Sequence, residues 1–161
     1  MMPIVYLSLG SNIGDKTAQI TQALDRIARV CEIKQVSPYY LTEPVGLKNQ
    51  DWFLNCVVEV ETEKDPNELL SALQLIEKKM GKTKTKVNGP RTIDIDILFF
   101  DDQVVNQKNL VIPHPRLHTR LFVLQPMMDL NSSFLHPVLK KTIKELYERQ
   151  PWAEIVTPYK A

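Results

Sequence analysis

The chain has 161 residues, enough for one domain of ordinary size with its own core. An apolar fraction of 43% and a charged fraction of 24% exclude a disordered chain. The net charge of +1 is too small for bulk electrostatics to drive nucleic-acid or membrane binding, so any charge-based recognition is local. Cys31 and Cys56, with no Cys-x-x-Cys between them, are not a disulfide framework and read as small buried apolar residues. The first ten residues lack a basic start and interrupt their apolar run early, unlike a signal peptide. No run approaches the ~20 apolar residues of a membrane span. The expectation is a cytoplasmic protein with no membrane or nucleic-acid partner.

Residues 4–9 are a short apolar run closed by Gly10-Ser11-Asn12, which predicts a buried first strand. Helical spacing of Ile20, Ala23, Leu24, Ile27, Val30 and Cys31 predicts a helix starting near Asp15. Residues 33–41 read as extended, with Pro38 marking an edge or an irregularity. Residues 42–51 form a loop rich in turn residues. In the strand expected over 53–60, Phe53, Asn55, Val57 and Glu59 share one face, and Leu54, Cys56, Val58 and Val60 the other. Asp65, Pro66 and Gly81 punctuate a second helix as cap, first position and exit. Residues 91–100 are the clearest strand, followed by short strands near 104–105 and 110–112. Short helices are expected over 121–128 and 139–147.

This order predicts an α+β fold, a ferredoxin-like βαββαβ sandwich. Its sheet would be mostly antiparallel, with both main helices on one face and extra short strands and C-terminal helices. No repeat or linker divides the chain, so 1–161 are expected to form a single domain.

The strongest chemical signal is Arg91-Thr92-Ile93-Asp94-Ile95-Asp96-Ile97-Leu98. Alternation places Asp94 and Asp96 on one face, about 7 Å apart, with Ile93, Ile95 and Ile97 facing the core. Adjacent carboxylates repel, and aspartate is a poor strand former. A cation would resolve that conflict, and hard oxygen donors at this spacing suit magnesium sharing its shell with phosphate oxygens. Gly89-Pro90-Arg91 brings a guanidinium alongside, able to take phosphate oxygens bidentately. A solvated acidic edge strand, with Arg91 merely neutralising it, is the competing account.

On the second helix, Glu77 falls within the apolar arc of Leu69, Leu70, Leu73, Ile76 and Met80, and Gln74 lies just outside it. Such a glutamate either faces a pocket or snorkels from the margin of the stripe. Lys82, Lys84 and Lys86 form a solvated loop or a cationic lid over a phosphate site. Gly10-Ser11-Asn12-Ile13-Gly14-Asp15-Lys16-Thr17 fails the P-loop spacing and reads as a turn and helix start. His114 and His118 have the spacing of a zinc pair, but the prolines flanking His114 oppose a helix through both. His114 is expected to be a loop hydrogen-bond donor, and the sequence names no partner for His136.

These residues, taken with others, resemble the 6-hydroxymethyl-7,8-dihydropterin pyrophosphokinases of folate biosynthesis. The resemblance rests on Leu9-Gly10-Ser11-Asn12-x-Gly14, Thr42-Glu43-Pro44-Val45-Gly46, Phe53-Leu54-Asn55, the Gly89-to-Leu98 segment, and Pro113-His114-Pro115-Arg116 with Arg120 and Phe122. It implies transfer of a pyrophosphoryl group from ATP to the pterin hydroxymethyl, releasing AMP. Asp94 and Asp96 would hold two magnesium ions, with Arg91 and Lys82 beside the reacting phosphates. Phe53 and Phe122 would sandwich the pterin, and Thr42, Pro44, Val45 and Asn55 would meet its edge. Gln74, Glu77, Arg91, Ile97, His114, Arg116 and Arg120 would line the ATP site. The expected partners are these two small molecules, and the expected state is a monomer.

Two other classes stay open on residues alone. A ferredoxin-like RNA-binding module would use the Lys82–Lys86 loop and show salt-sensitive binding. A nucleotidyltransferase using the same acidic strand would release pyrophosphate instead of AMP.

Overall fold

The computed structural model describes residues 2–43, 51–81, 92–149 and 151–159. Pro44, Val45, Lys82 and Arg91, together with Lys84 and Lys86, lie outside the described residues.

In chain order the elements are β1 (Ile4–Ser11), α1 (Lys16–Ile27), β2 (Glu32–Val36), β3 (Tyr39–Thr42), β4 (Phe53–Glu61) and α2 (Pro66–Lys79). Then come β5 (Asp94–Phe100), β6 (Val105–Gln107), β7 (Leu110–Ile112), a 3-10 turn (Leu117–Thr119), α3 (Leu121–Asn131), α4 (Ile143–Glu148) and β8 (Val156–Tyr159). The main sheet runs β5-β1-β4-β3-β8, with β2 also paired to β4. Every pairing in it is antiparallel. The fold is therefore α+β on an antiparallel sheet, as expected.

Local chemistry sets the helix boundaries. Asp15 caps α1 by accepting the Ala18 N–H at 3.1 Å. The aspartate that disqualified a P-loop thus already occupies the turn where a phosphate would bind. On α2, Asp65 and Glu68 form a reciprocal capping box, Pro66 takes the first turn, and Gly81 leaves at φ +88°. Thr142 and Glu145 cap α4 in the same way, which starts that helix later than its apolar pattern suggested. The extended stretch over 33–41 is two strands. Ser37 and Pro38 separate them, and Ser37 bonds Val57 through both its main chain and its hydroxyl.

The sheet has two apolar faces. Val5, Leu7 and Leu9 of β1, Leu54, Cys56, Val58 and Val60 of β4, and Ile93, Ile95 and Ile97 pack with α1 and α2. Tyr6, Val57, Leu98 and Phe99 pack with α3 and α4 on the other side. Both main helices therefore share one face, and the predicted alternation of β4 and β5 holds. It breaks once. Tyr6 pairs with Phe99 but Leu7 with Ile97, so Leu98 is an extra residue. That bulge turns Leu98 and Phe99 to the same side.

Two elements depart from expectation. Strand β8 carries Pro158 and gave no strand signal, yet it pairs with β3 across Tyr39 to Thr42. An edge position lets a proline sit in a ladder, because its missing donor points away from a partner. His136 is nearly buried, and its Nδ1 accepts the N–H groups of Val138 and Leu139 at 3.2 and 3.0 Å. Burial lowers its pKa to about 4, and His118 adds to the shift. The neutral ring is thus the folded form, while the unfolded ring takes up a proton near its ordinary value of about 6.5. The stability from His136 is full above that value and fades as pH falls toward about 4. Equilibrium unfolding should show that decline, and His136→Asn, which keeps an acceptor without titrating, should flatten it.

Candidate active site

The second face of the sheet, at the end where β1 finishes, carries Asp94, Asp96, Phe53, Asn55 and Thr42, while Gln74 and Glu77 belong to α2 on the other face. Asp94 pairs with Gly10, Gly10 with Asn55, and Asn55 with Tyr40, so one row crosses four strands. The next positions along are Asp96 opposite Ser8, and Phe53 opposite Thr42. Asp94 and Asp96 are partly exposed on this face. Ile95 between them is buried on the other, which is why the strand accepts the pair without losing its core side.

Asn55 is buried, and its Nδ2 donates to Thr42 Oγ1 at 2.6 Å. That bond fixes which way the amide points and leaves Oδ1 toward Gly10. A Cβ on Gly10 would lie 2.6 Å from Asn55 Oδ1 and 3.6 Å from the Phe53 ring. Glycine is therefore required here by close approach.

Glu77 resolves its anomaly structurally. It is buried, and its Oε2 accepts the main-chain N–H of Ile95 at 2.8 Å. β5 is the edge of the sheet path, and an edge exposes unpaired main-chain groups. The carboxylate thus takes up an edge donor directly between Asp94 and Asp96, and is not a snorkelling residue. Leaving that donor unmet would cost roughly 1–3 kcal/mol. Gln74 sits one turn earlier on α2 and is exposed. The Ile97 side chain is in the core, so its main chain is the part left to meet a ligand.

The basic residues come from the segment between β7 and α3. The His114 N–H donates to the Leu98 carbonyl at 3.0 Å, which ties this segment to β5. Its Nδ1 accepts the Arg116 N–H at 3.2 Å, which leaves Nε2–H of the neutral ring as the donor. Burial lowers the His114 pKa to about 4, Arg120 and Arg116 push it the same way, and Asp94 opposes them. His114 is accordingly neutral at physiological pH. Burial also lowers the pKa of Arg120, while Asp96, Asp94 and Glu154 support its charge against Arg116. The Arg120 guanidinium lies over the Phe122 ring, 5.5 Å from its centre. The structure thus brings Asp94, Asp96, His114, Arg116, Arg120 and Phe122 into one cluster.

Sequence reasoning missed Ser8, Tyr40 and Glu154. Tyr40 donates from its hydroxyl to Asp129 of α3, and Glu154 accepts the Leu121 N–H at 2.8 Å. Neither pairing has a local signal, because the partners are far apart in the chain.

Fold and site together define a class: an α+β protein with paired carboxylates facing arginines, suited to phosphate chemistry. Residues 6–132 match the family described as 7,8-dihydro-6-hydroxymethylpterin-pyrophosphokinase. The chain is 39% identical to the 2-amino-4-hydroxy-6-hydroxymethyldihydropteridine pyrophosphokinase of Aquifex aeolicus, over 89% of this chain and 90% of that one. It is 42% identical to the Bacillus subtilis protein of the same name, over 81% and 79%. It is also 44% identical to folic acid synthesis protein fol1 of Schizosaccharomyces pombe, over 92% of this chain but only 20% of that much longer protein. The fold is similar to that of Plasmodium falciparum HPPK-DHPS, with a TM-score of 0.76 at 20% identity over 92% of this chain and 42% of that one. The chain belongs to the 7,8-dihydro-6-hydroxymethylpterin-pyrophosphokinase family.

Proposed function

We propose that the chain transfers the β,γ-pyrophosphoryl group of ATP to the hydroxymethyl oxygen of 6-hydroxymethyl-7,8-dihydropterin, in folate biosynthesis. The supporting observation is the row Asp94–Gly10–Asn55, which sets a phosphate-handling carboxylate beside an oriented amide on one sheet face. The pterin hydroxyl oxygen bonds to the β-phosphorus, the bond from that phosphorus to the α,β-bridging oxygen breaks, and AMP leaves. The hydroxyl proton is released to solvent.

Transfer of this kind depends on positioning and charge neutralisation more than on covalent help. Asp94 and Asp96 supply hard oxygen donors, and the described residues contain no group of three or more His, Cys, Asp or Glu that would make a closed cage. Hard carboxylate oxygens suit magnesium, and Asp94 and Asp96 would hold the two ions. Bound there, magnesium would neutralise the triphosphate and stabilise charge on the leaving AMP. Arg116 and Arg120 face the same phosphates, with Arg91 and Lys82 assigned beside them by family resemblance. His114, held neutral, offers hydrogen bonds there without repelling the arginines. Gln74, Glu77 and the Ile97 main chain complete the ATP side. Phe53 and Phe122 offer aromatic faces to the flat pterin. Asn55 and Thr42 meet its polar edge, with Pro44 and Val45 completing that side.

The strand order β5-β1-β4 followed by β2 and β3, with α1 and α2 on one face, supports a ferredoxin-like sandwich. We read 1–161 as a single catalytic domain acting as a cytoplasmic monomer on small molecules. Among the described residues no helix is long and apolar enough to cross a membrane. Family membership favours the enzyme over an RNA-binding module.

With ATP, magnesium and the hydroxymethyl dihydropterin, AMP should accumulate in step with the pterin diphosphate. ADP as the nucleotide product would overturn the assignment, and release of free pyrophosphate would indicate a nucleotidyltransferase.

A further inference from the structure

Helix α3 carries Phe122 in its first turn and follows directly on Arg120, so its start sets where both meet the site. That start is poorly built locally. Its cap position is Arg120, no side chain of the cap bonds back, and its first turn has no acidic residue. A helix start leaves donors unmet and favours negative charge. Both needs are met from a distance, because Glu154 accepts the Leu121 N–H at 2.8 Å and supports the Arg120 charge. Leu121 is the residue between Arg120 and Phe122.

The segment around Glu154 is itself held on two sides. The Trp152 indole donates to the Tyr147 carbonyl at 2.8 Å, anchoring it to α4. Beyond Glu154, the Ile155 carbonyl accepts the Glu43 N–H, and Val156 pairs with Thr42. A few consecutive residues therefore touch both banks of the acceptor pocket: α3 with Phe122, and β3 with Thr42, whose hydroxyl orients Asn55. All of them lie past residue 132, where the family match ends.

We propose that Glu154 is a positioning residue that clamps the first turn of α3, so that the C-terminal segment sets the gap in which the pterin ring is held. The proposal rests on the acceptor-site reading given above for Phe53, Asn55 and Phe122. Glu154 touches no reacting atom; it acts through the Leu121 main chain.

Two variants of the full chain and two readouts test this. Glu154→Ala removes the acceptor, and Glu154→Gln keeps an acceptor oxygen without the charge. In Glu154→Ala, hydrogen exchange at the Leu121 amide should quicken by about tenfold, the scale of a lost cap. The KM for the pterin should rise by about tenfold and the KM for ATP by clearly less, because Phe122 rides in the first turn of α3 whereas Arg120 precedes the helix and shares the phosphates with Arg116. Glu154→Gln should restore most of both, because the acceptor oxygen holds the Leu121 N–H and only the charge is lost. Wild-type exchange and pterin KM in Glu154→Ala would overturn the clamp. So would a uniform loss in kcat and both KM values together with a fall in Tm, since that marks general destabilisation. If the wild type forms no AMP at all, the assigned reaction fails, while Leu121 exchange still decides whether Glu154 holds α3.

Discussion

Replacing either Asp94 or Asp96 with alanine is expected to lower AMP formation by about a thousandfold or more, because under the proposed function each would remove an oxygen donor that holds magnesium at the triphosphate. Thermal stability should change little. Both side chains are partly exposed, and the core side of β5 is made by Ile95 and Ile97, which the substitutions leave untouched. The mutual repulsion of the two carboxylates is offset by the Arg120 charge that both support, so losing one changes the electrostatic balance little. Measuring AMP release alongside a thermal melt separates the two effects. Turnover within about tenfold of wild type would remove both aspartates from the reaction. Lost turnover with a collapsed melt would mean a structural role instead.

Gly10→Ala is the second large effect, and it acts on the acceptor. The new methyl would approach Asn55 Oδ1 to 2.6 Å, well inside contact distance. Asn55 cannot turn away without cost, since its Nδ2 is held by Thr42 Oγ1 and the side chain is buried. Overpacking of this kind costs about 1–3 kcal/mol, and under the proposed function the displaced amide would no longer meet the pterin edge. The KM for the pterin should rise by at least about tenfold, with a smaller change for ATP, because polar recognition lost at a buried position is costly. Steady-state kinetics with each substrate varied in turn would show this split. Equal pterin KM in Gly10→Ala and wild type would mean that Asn55 does not read the acceptor.

Much of the cluster on the second sheet face was legible in the chain because it depends on alternation. Period two put Asp94 with Asp96, and Phe53 with Asn55, on shared faces, and the pairings carry out that arrangement. The position of Glu77 was legible as an anomaly, because a carboxylate within an apolar stripe needs a partner. Its partner was not legible. The Ile95 N–H is available to it only because β5 ends the sheet path, and edge position is a property of the assembled sheet.

The same reasoning limits what could be read at the C-terminus. Val156–Tyr159 is short and contains proline, so its local preference argues against a strand. It becomes one because β3 offers a free edge. Glu154 looks like an ordinary surface glutamate until α3 is placed against it.

By itself, the sequence determined which residues share a strand face, where α1 starts and α2 is capped, and that paired carboxylates beside basic residues suit phosphate chemistry. Those are short-range matters, set by backbone period and local hydrogen bonding. Tertiary structure alone decided that Glu77 closes an edge donor, that Gly10 is reserved for the Asn55 amide, and that Glu154 completes the start of α3. Each of these joins groups distant in the chain, where free energy depends on proximity that only the packed sheet creates.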